Sequence, residues 1–239
     1  MIEKPKVEVC FTPNMFPLYA EDFEVVVVID VLRATSAICT AFHYGVDKII
    51  PVSTLDQAIE YKDKGYYVAA ERKGKIVSGF EFGNSPLSYT NDKLKDQTLV
   101  LTTTNGTKAI NMAKDIEHLL IGSFLNLDAI CNYLIELNKS VLILGSGWEN
   151  KFCLEDSICA GAISEQLLKT NKFECNNDST IAAKYLFLSA KSNYFGYLKA
   201  SSHRKRLKKL NLNEDIKYCL TPNQTDVIPV REDYYLKKL

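Results

Sequence analysis

Three segments of this chain share one local order, an apolar strand running into a short polar loop and then an amphipathic helix, and this grammar limits the fold more tightly than any other feature. The first segment is VVVVID (25–30), the loop VLRATS (31–36) and a predicted helix over 37–44, with Gly45 as its C-terminal cap. The second is TLVLTT (98–103), the loop TNGT (104–107) and a helix from Lys108. The third is SVLILG (140–145), the loop SGWENKF (146–152) and a helix from Leu154 into the 160s. Each strand is apolar at consecutive positions, so both of its faces must be covered, as they are in a parallel sheet flanked by helices. The fold class is therefore α/β. The pattern also predicts strands at 48–51 and 67–70, the latter ending at Glu71 and Arg72, and a helix over 55–64. Residues 73–92 form a long polar loop; loops of that length inside compact domains are usually functional or mobile. Helices are expected over 180–192 and, strongly basic, over 201–210, with a last strand at 227–230. Nothing resembling a flexible linker divides the chain, so 1–239 is expected to be one unit.

Composition narrows the function classes. Lys plus Arg and Asp plus Glu each number 29, for a formal charge of zero, which argues against nucleic acid or an anionic membrane as partner. The apolar runs are strand-sized and fall far short of the roughly 20 residues that span a bilayer. The N-terminal stretch mixes Glu3, Lys4, Lys6 and Glu8 with its apolar residues, unlike a signal peptide, so a cytoplasmic location is expected. The cysteines are odd in number and lack a CxxC pair, and the histidines, 43, 118 and 203, are far apart in sequence. Reduced thiols and no structural zinc are the expectation.

In open parallel sheets, ligands collect beyond the carboxyl ends of the strands. The loops at that edge carry Asp30, Arg33, Thr35 and Ser36; Glu71 and Arg72; Thr104, Asn105, Gly106 and Thr107; and Glu155 with Asp156. Carboxylates beside hydroxyls and amides suit Mg²⁺, and arginines suit a planar oxyanion. Gly106 lets backbone approach an anion, and helix N-termini offer free amides. Phosphoryl transfer from a small anionic ester uses these parts. Each has a plainer explanation. Asp30 can close a strand as a cap, Glu71 and Arg72 can be a solvated ion pair, Asn105-Gly106 is a common turn, and acids at 155 and 156 suit a helix start. The basic run around His203 reads as a solvated face, Cys153 as an inert thiol, and Trp148 as packing.

Taken in order, IDVLRATS (29–36), AAERKGKIVSGFEFGNSP (69–86), LTTTNGTKAI (101–110), IGSFLN (121–126), FCLEDSICAGA (152–162), SSHRKRL (201–207) and DVIPV (226–230) resemble the 2-phosphosulfolactate phosphatase family, almost end to end. The resemblance implies a Mg²⁺-dependent hydrolase that takes phosphate from 2-phospho-3-sulfolactate or a related 2-hydroxy acid phosphate, a reaction of coenzyme M biosynthesis. It also implies a three-layer α/β/α fold with a predominantly parallel sheet and two similar, intertwined halves. Family positions matched here include Asp30, Arg33, Glu71, Arg72, Asn84, Asn105, Gly106, Glu155, Asp156 and His203; Cys153 departs from the Ser or Asn common there. On this footing Asp30, Glu71 and Asp156 are expected to hold or orient Mg²⁺. Asp30, Arg33, Asn105 and Glu155 are the expected catalytic groups. Arg33, Thr35, Ser36, Asn84, Asn105 and the 104–107 segment, including Thr104, Gly106 and Thr107, are expected to grip substrate. Arg72 and His203 are expected at its carboxylate or sulfonate. The rival expectation is a non-catalytic sensor of small phosphorylated or sulfonated acids. A homodimer is the expected assembly.

Overall fold

The computed structural model describes residues 3–239. Its strands are β1 (Val7–Cys10), β2 (Val25–Ile29), β3 (Lys48–Pro51), β4 (Tyr67–Arg72), β5 (Lys75–Ile76), β6 (Thr98–Thr102), β7 (His118–Gly122), β8 (Val141–Gly145), β9 (Pro229–Glu232) and β10 (Tyr235–Lys238). The helices are α1 (Ala34–His43), α2 (Leu55–Asp63), α3 (Gly106–Met112), α4 (Leu127–Leu137), α5 (Leu154–Lys169), α6 (Asp178–Ala190), α7 (Tyr194–Tyr197), α8 (Ser202–Lys209) and α9 (Asn213–Cys219). Among the described residues the strands make one ten-stranded sheet in the order β1-β8-β2-β7-β9-β10-β3-β6-β4-β5.

Two parallel sets make up most of that sheet, β1-β8-β2-β7 and β3-β6-β4. The chain leaves the first set after β2, builds the second, and returns at β7, so the sets are interleaved in sequence. The antiparallel pair β9-β10 joins them, meeting β7 through Leu120↔Val230 and β3 through Leu236↔Ile49. The sequence pattern predicts one last strand at 227–230. The strand instead starts at Pro229, and the chain turns back at Asp233, whose φ is +51°, to form β10. Charged Lys237 and Lys238 mask the β10 pattern.

The apolar β2 and β8 bury every residue because successive side chains serve opposite faces. Val25, Val27, Val141 and Ile143 pack under α4 and α5, while Val26, Val28, Leu142 and Leu144 pack under α1 and α3. Each such burial is worth about 1.5–3 kcal/mol. The layer containing α1 and α3 also takes Ile49, Leu99 and Leu101 from the second set, and α2 covers that set's other face through Ala58. Helices thus cover both faces in a three-layer α/β/α arrangement. Gly45, at φ +94°, ends α1 as expected. α1 and α3, sharing one layer, bring the loops after β2 and β6 together. No helix among the described residues is long and apolar enough to cross a membrane.

Candidate active site

A cavity of about 170 Å³ lies where the loops after β2, β4, β6 and β8 meet α8. Asp30, Arg33, Glu71, Asn84, Thr104, Asn105 and His203 line it. Asp156 and Glu155 begin α5 behind it, both buried. Gly106 permits the close approach of α3: a Cβ there would stand 2.5 Å from the Ala34 Cβ and 2.8 Å from Asp30 Oδ2.

Several expected ligand groups serve the scaffold instead. α1 starts at Ala34, inside the predicted loop, because two hydroxyls satisfy the backbone there. The Asp30 amide donates to Thr35 Oγ1 (3.1 Å), and Ser36 Oγ donates to the Val31 carbonyl (2.8 Å). Thr35 and Ser36 are fully buried and do not line the cavity. α3 likewise starts at Gly106, where Thr103 and Thr107 bond each other's amides through their hydroxyls, both at 3.1 Å. The Thr104 amide and hydroxyl donate to Glu71, which also accepts from the Gly74 amide, so Glu71 ties the 73–74 turn to the loop after β6. Of the 104–107 amides expected to grip phosphate, those of Thr104 and Thr107 are therefore already engaged.

The arginines are similarly committed. Arg33 follows a cis Leu32-Arg33 peptide, donates through Nη1 to Asp215 Oδ2 (2.6 Å) and through Nη2 to the Gly74 carbonyl (2.8 Å), and is buried with Asp215 as an ion pair. Arg72 donates to the Glu71 carbonyl and to Thr102 Oγ1 and lies outside the cavity lining. Asn105 Oδ1 accepts from the Glu149 amide (3.2 Å), joining the loops after β6 and β8.

Asp30 and Asp156 form the electrostatic centre. Asp156 accepts from the Val31 amide (2.9 Å) and the Gly147 amide (3.3 Å), which holds its carboxylate under the β2 end. Burial pushes the Asp30 carboxyl up to about 6, with the nearby His203 pulling down and Glu71 pushing up. Burial and then the Asp30 and Glu155 charges push Asp156 well above the ordinary carboxylate range. Neither has a lysine or arginine within salt-bridge distance among the described residues. Nearby, Asn84 Oδ1 and Ser146 Oγ are buried without a partner. Two buried carboxylates with no cationic partner are oxygen ligands short of positive charge, a chemistry that fits a hard divalent ion such as Mg²⁺.

Glu155 pairs with His203 from across the chain. His203 Nδ1 lies 2.6 Å from Glu155 Oε1, and Ser201 Oγ donates to Oε2 (3.2 Å). Burial resists ionisation of Glu155, yet the hydrogen bond and charge of His203 outweigh it and hold its pKa below the ordinary value. The bond leaves Nε2 free to face the cavity. Cys153 completes a cluster in which its Sγ, Glu155 and His203 lie within 4.8 Å of one another. Burial, then Asp156 and Glu155, push the Cys153 thiol well up, which suits an inert thiol. All seven cysteines are free.

The basic run is solvated on one face only: Lys205, Lys208 and Lys209 are exposed, while the opposite face is turned inward. His203, Arg206, Leu207 and Leu210 line the cavity at helical spacing, and Arg204 is buried over the Phe195 ring at 3.7 Å. Arg206 lies over Trp148, with Cζ 4.1 Å from the ring centroid, so Trp148 is a stacking plate. Arg206, read from sequence as part of a solvated face, Trp148, read as packing, and Lys73 and Asp215, not singled out, are the site residues the sequence did not give. The spacing of 203, 206, 207 and 210 was the signal for the first of these.

The sequence model of one protein family, described as 2-phosphosulpholactate phosphatase, matches residues 10–234. Proteins named "Probable 2-phosphosulfolactate phosphatase" are similar to the chain over most of both lengths. That of Caldanaerobacter subterraneus subsp. tengcongensis is 39% identical over 208 residues, covering 85% of this chain and 86% of the relative. The Clostridium novyi protein is 40% identical over 207 residues (85% and 87%). The Thermotoga maritima protein is 39% identical over 215 residues (90% and 92%).

Proposed function

The chain belongs to the 2-phosphosulfolactate phosphatase family, and from that premise we propose that it hydrolyses 2-phospho-3-sulfolactate to 3-sulfolactate and phosphate with the help of Mg²⁺. It is a phosphoric monoester hydrolase. The observation that carries the metal-dependent reading is the buried Asp30 and Asp156 pair, both raised and neither matched by a cationic side chain. Asp30 and Asp156 would hold the ion, with Glu71 fixing the loops around it. When bound, Mg²⁺ would offset the charge on the transferring phosphoryl group.

The chain's own residues account for the rest of the chemistry. Hydrolysis joins a water oxygen to phosphorus and breaks the bond between phosphorus and the ester oxygen, which must gain a proton as it leaves. Glu155 fixes Nδ1 of His203, leaving Nε2 as the nitrogen that gives that proton. Arg33, neutralised by Asp215 and locked to the Gly74 carbonyl, shapes the wall of the cavity. Cytoplasmic location, coenzyme M biosynthesis as pathway and a homodimer belong to the same proposal.

Phosphate release from 2-phospho-3-sulfolactate, 2-phospholactate, phosphoglycolate and an aryl phosphate tests the substrate class. Turnover concentrated on the 2-phospho acids is expected. Equal turnover on the aryl phosphate would make the chain a general phosphatase, and tight binding of 3-sulfolactate without any turnover would make it a sensor.

A further inference from the structure

Arg206 carries donors that nothing in the fold uses. Its Nε and Nη2 are buried and have no hydrogen-bond partner, while Nη1 reaches only Ser202 Oγ at 3.4 Å. No carboxylate lies within salt-bridge distance of it among the described residues. Buried guanidinium donors are costly to leave unpaired, so their retention points to a ligand that completes them. Nε and Nη2 form one edge of the planar guanidinium, the edge that grips two oxygens of an oxyanion side-on. The Trp148 face holds the plane of this group, restricting its rotation before any ligand arrives.

The other arginines near the site cannot play this part. Arg33 is spent on Asp215 and the Gly74 carbonyl, Arg72 on Glu71 and Thr102, and Arg204 on the Phe195 carbonyl and ring. Arg206 also stands one helical turn beyond His203, and Trp148 touches both, its ring centroid 5.1 Å from that of His203. If His203 meets the oxygen on the second carbon of the substrate, Arg206 neighbours a group on the adjoining carbon. A sulfonate is permanently charged, weakly hydrated and rich in acceptors, which suits a guanidinium stacked on an indole beside Leu207 and Leu210.

We propose that Arg206, laid on Trp148, is the subsite that receives the sulfonate of the substrate and sets preference for sulfonated over unsulfonated 2-phospho acids. The proposal rests on the phosphatase reading above. Arg206→Lys keeps the charge and removes the side-on fork; Trp148→Leu keeps the fork and removes its plate. For Arg206→Lys, KM for 2-phospho-3-sulfolactate is expected to rise about 100-fold with little change in kcat, as when a site built for a polar group loses its pairing. KM for 2-phospholactate, which has no sulfonate, should move by less than about threefold, so the two substrates become nearly equivalent. Trp148→Leu should shift both values in the same directions but less far. Calorimetry of 3-sulfolactate and of lactate binding to the same proteins gives a reading independent of turnover. Equal losses on both substrates would assign Arg206 to the carboxylate or phosphoryl group and overturn the proposal, as would no loss on either. Absence of turnover in the unaltered protein would instead defeat the phosphatase reading, and calorimetry would then decide the sulfonate subsite by itself.

Discussion

Asp30 should destabilise the metal-free protein at neutral pH, and Asp30→Asn should relieve it. Burial raises the Asp30 carboxyl from 3.8 to about 6. A rise of that size corresponds to about 3 kcal/mol, of which part is shared with Asp156 because the two acids titrate together. A carboxyl whose pKa is raised on folding binds its proton more tightly in the folded state. The stability it lends is complete below about pH 4 and is lost as the pH climbs through about 6. The amide side chain of the Asp30→Asn variant keeps an oxygen for the Ala34 amide, which Asp30 Oδ1 accepts at 3.4 Å, and brings no charge. In EDTA at pH 7.5 the variant should be about 2–3 kcal/mol more stable, or some 5–10 °C in Tm for a chain of this size, and the advantage should vanish near pH 4. Thermal melts of both proteins from pH 4 to 8 would measure it. Added Mg²⁺ should raise the midpoint of the unaltered protein and leave that of the variant nearly still. A variant less stable at every pH, or a gain independent of pH, would mean that the buried Asp30 charge does not strain the fold.

The other buried pairs give equally direct expectations. Asp215→Asn leaves the Arg33 guanidinium buried with no counter-charge, so urea unfolding should show a loss of about 3–5 kcal/mol; a loss below about 1 kcal/mol would mean the pair is solvated. Glu155→Gln should lower kcat on 2-phospho acids by about 10²–10⁴-fold while sparing an aryl phosphate, whose leaving group needs no proton, and adding His203→Asn should cost little more. Equal loss on both substrate types would remove His203 from proton donation. In Gly106→Ala the new methyl would meet Ala34 and Asp30, so a loss of about 1–3 kcal/mol and a drop in kcat/KM of about tenfold or more are expected; wild-type kinetics would show that α3 need not sit so close.

The strand-loop-helix units of β2, β6 and β8 were legible because these strands are apolar on both faces and each runs into a helix, whereas β1, β7 and α4 were not read. Asp30 and Glu71 were legible as polar groups at strand ends, and both line the cavity. The starts of α1 and α3 lie three and two residues before the sequence pattern puts them, for one physical reason. Thr35, Ser36 and Thr107 look like loop residues, yet their hydroxyls satisfy backbone or side-chain partners in the first turns of α1 and α3. Arg206 was hidden because a cationic run reads as solvated unless the cavity beneath it is known. The Glu155 and His203 pairing joins residues 48 positions apart, and no local pattern announces such a contact. The β9-β10 hairpin was half seen, since β10 carries lysines where a strand signal would need apolar residues.

Whether Asp30 and Asp156 make the protein a cation-dependent phosphatase is decided by phosphate release with chelator-stripped protein. The substrate is 2-phospho-3-sulfolactate, with Mg²⁺ added back over a range of concentrations, for the unaltered chain, Asp30→Asn and Asp156→Asn. No release is expected in EDTA, with saturable recovery by Mg²⁺ in the unaltered chain and none in either variant. Full turnover in EDTA, or a Mg²⁺ response undiminished in both variants, would rule out a metal held by these two acids.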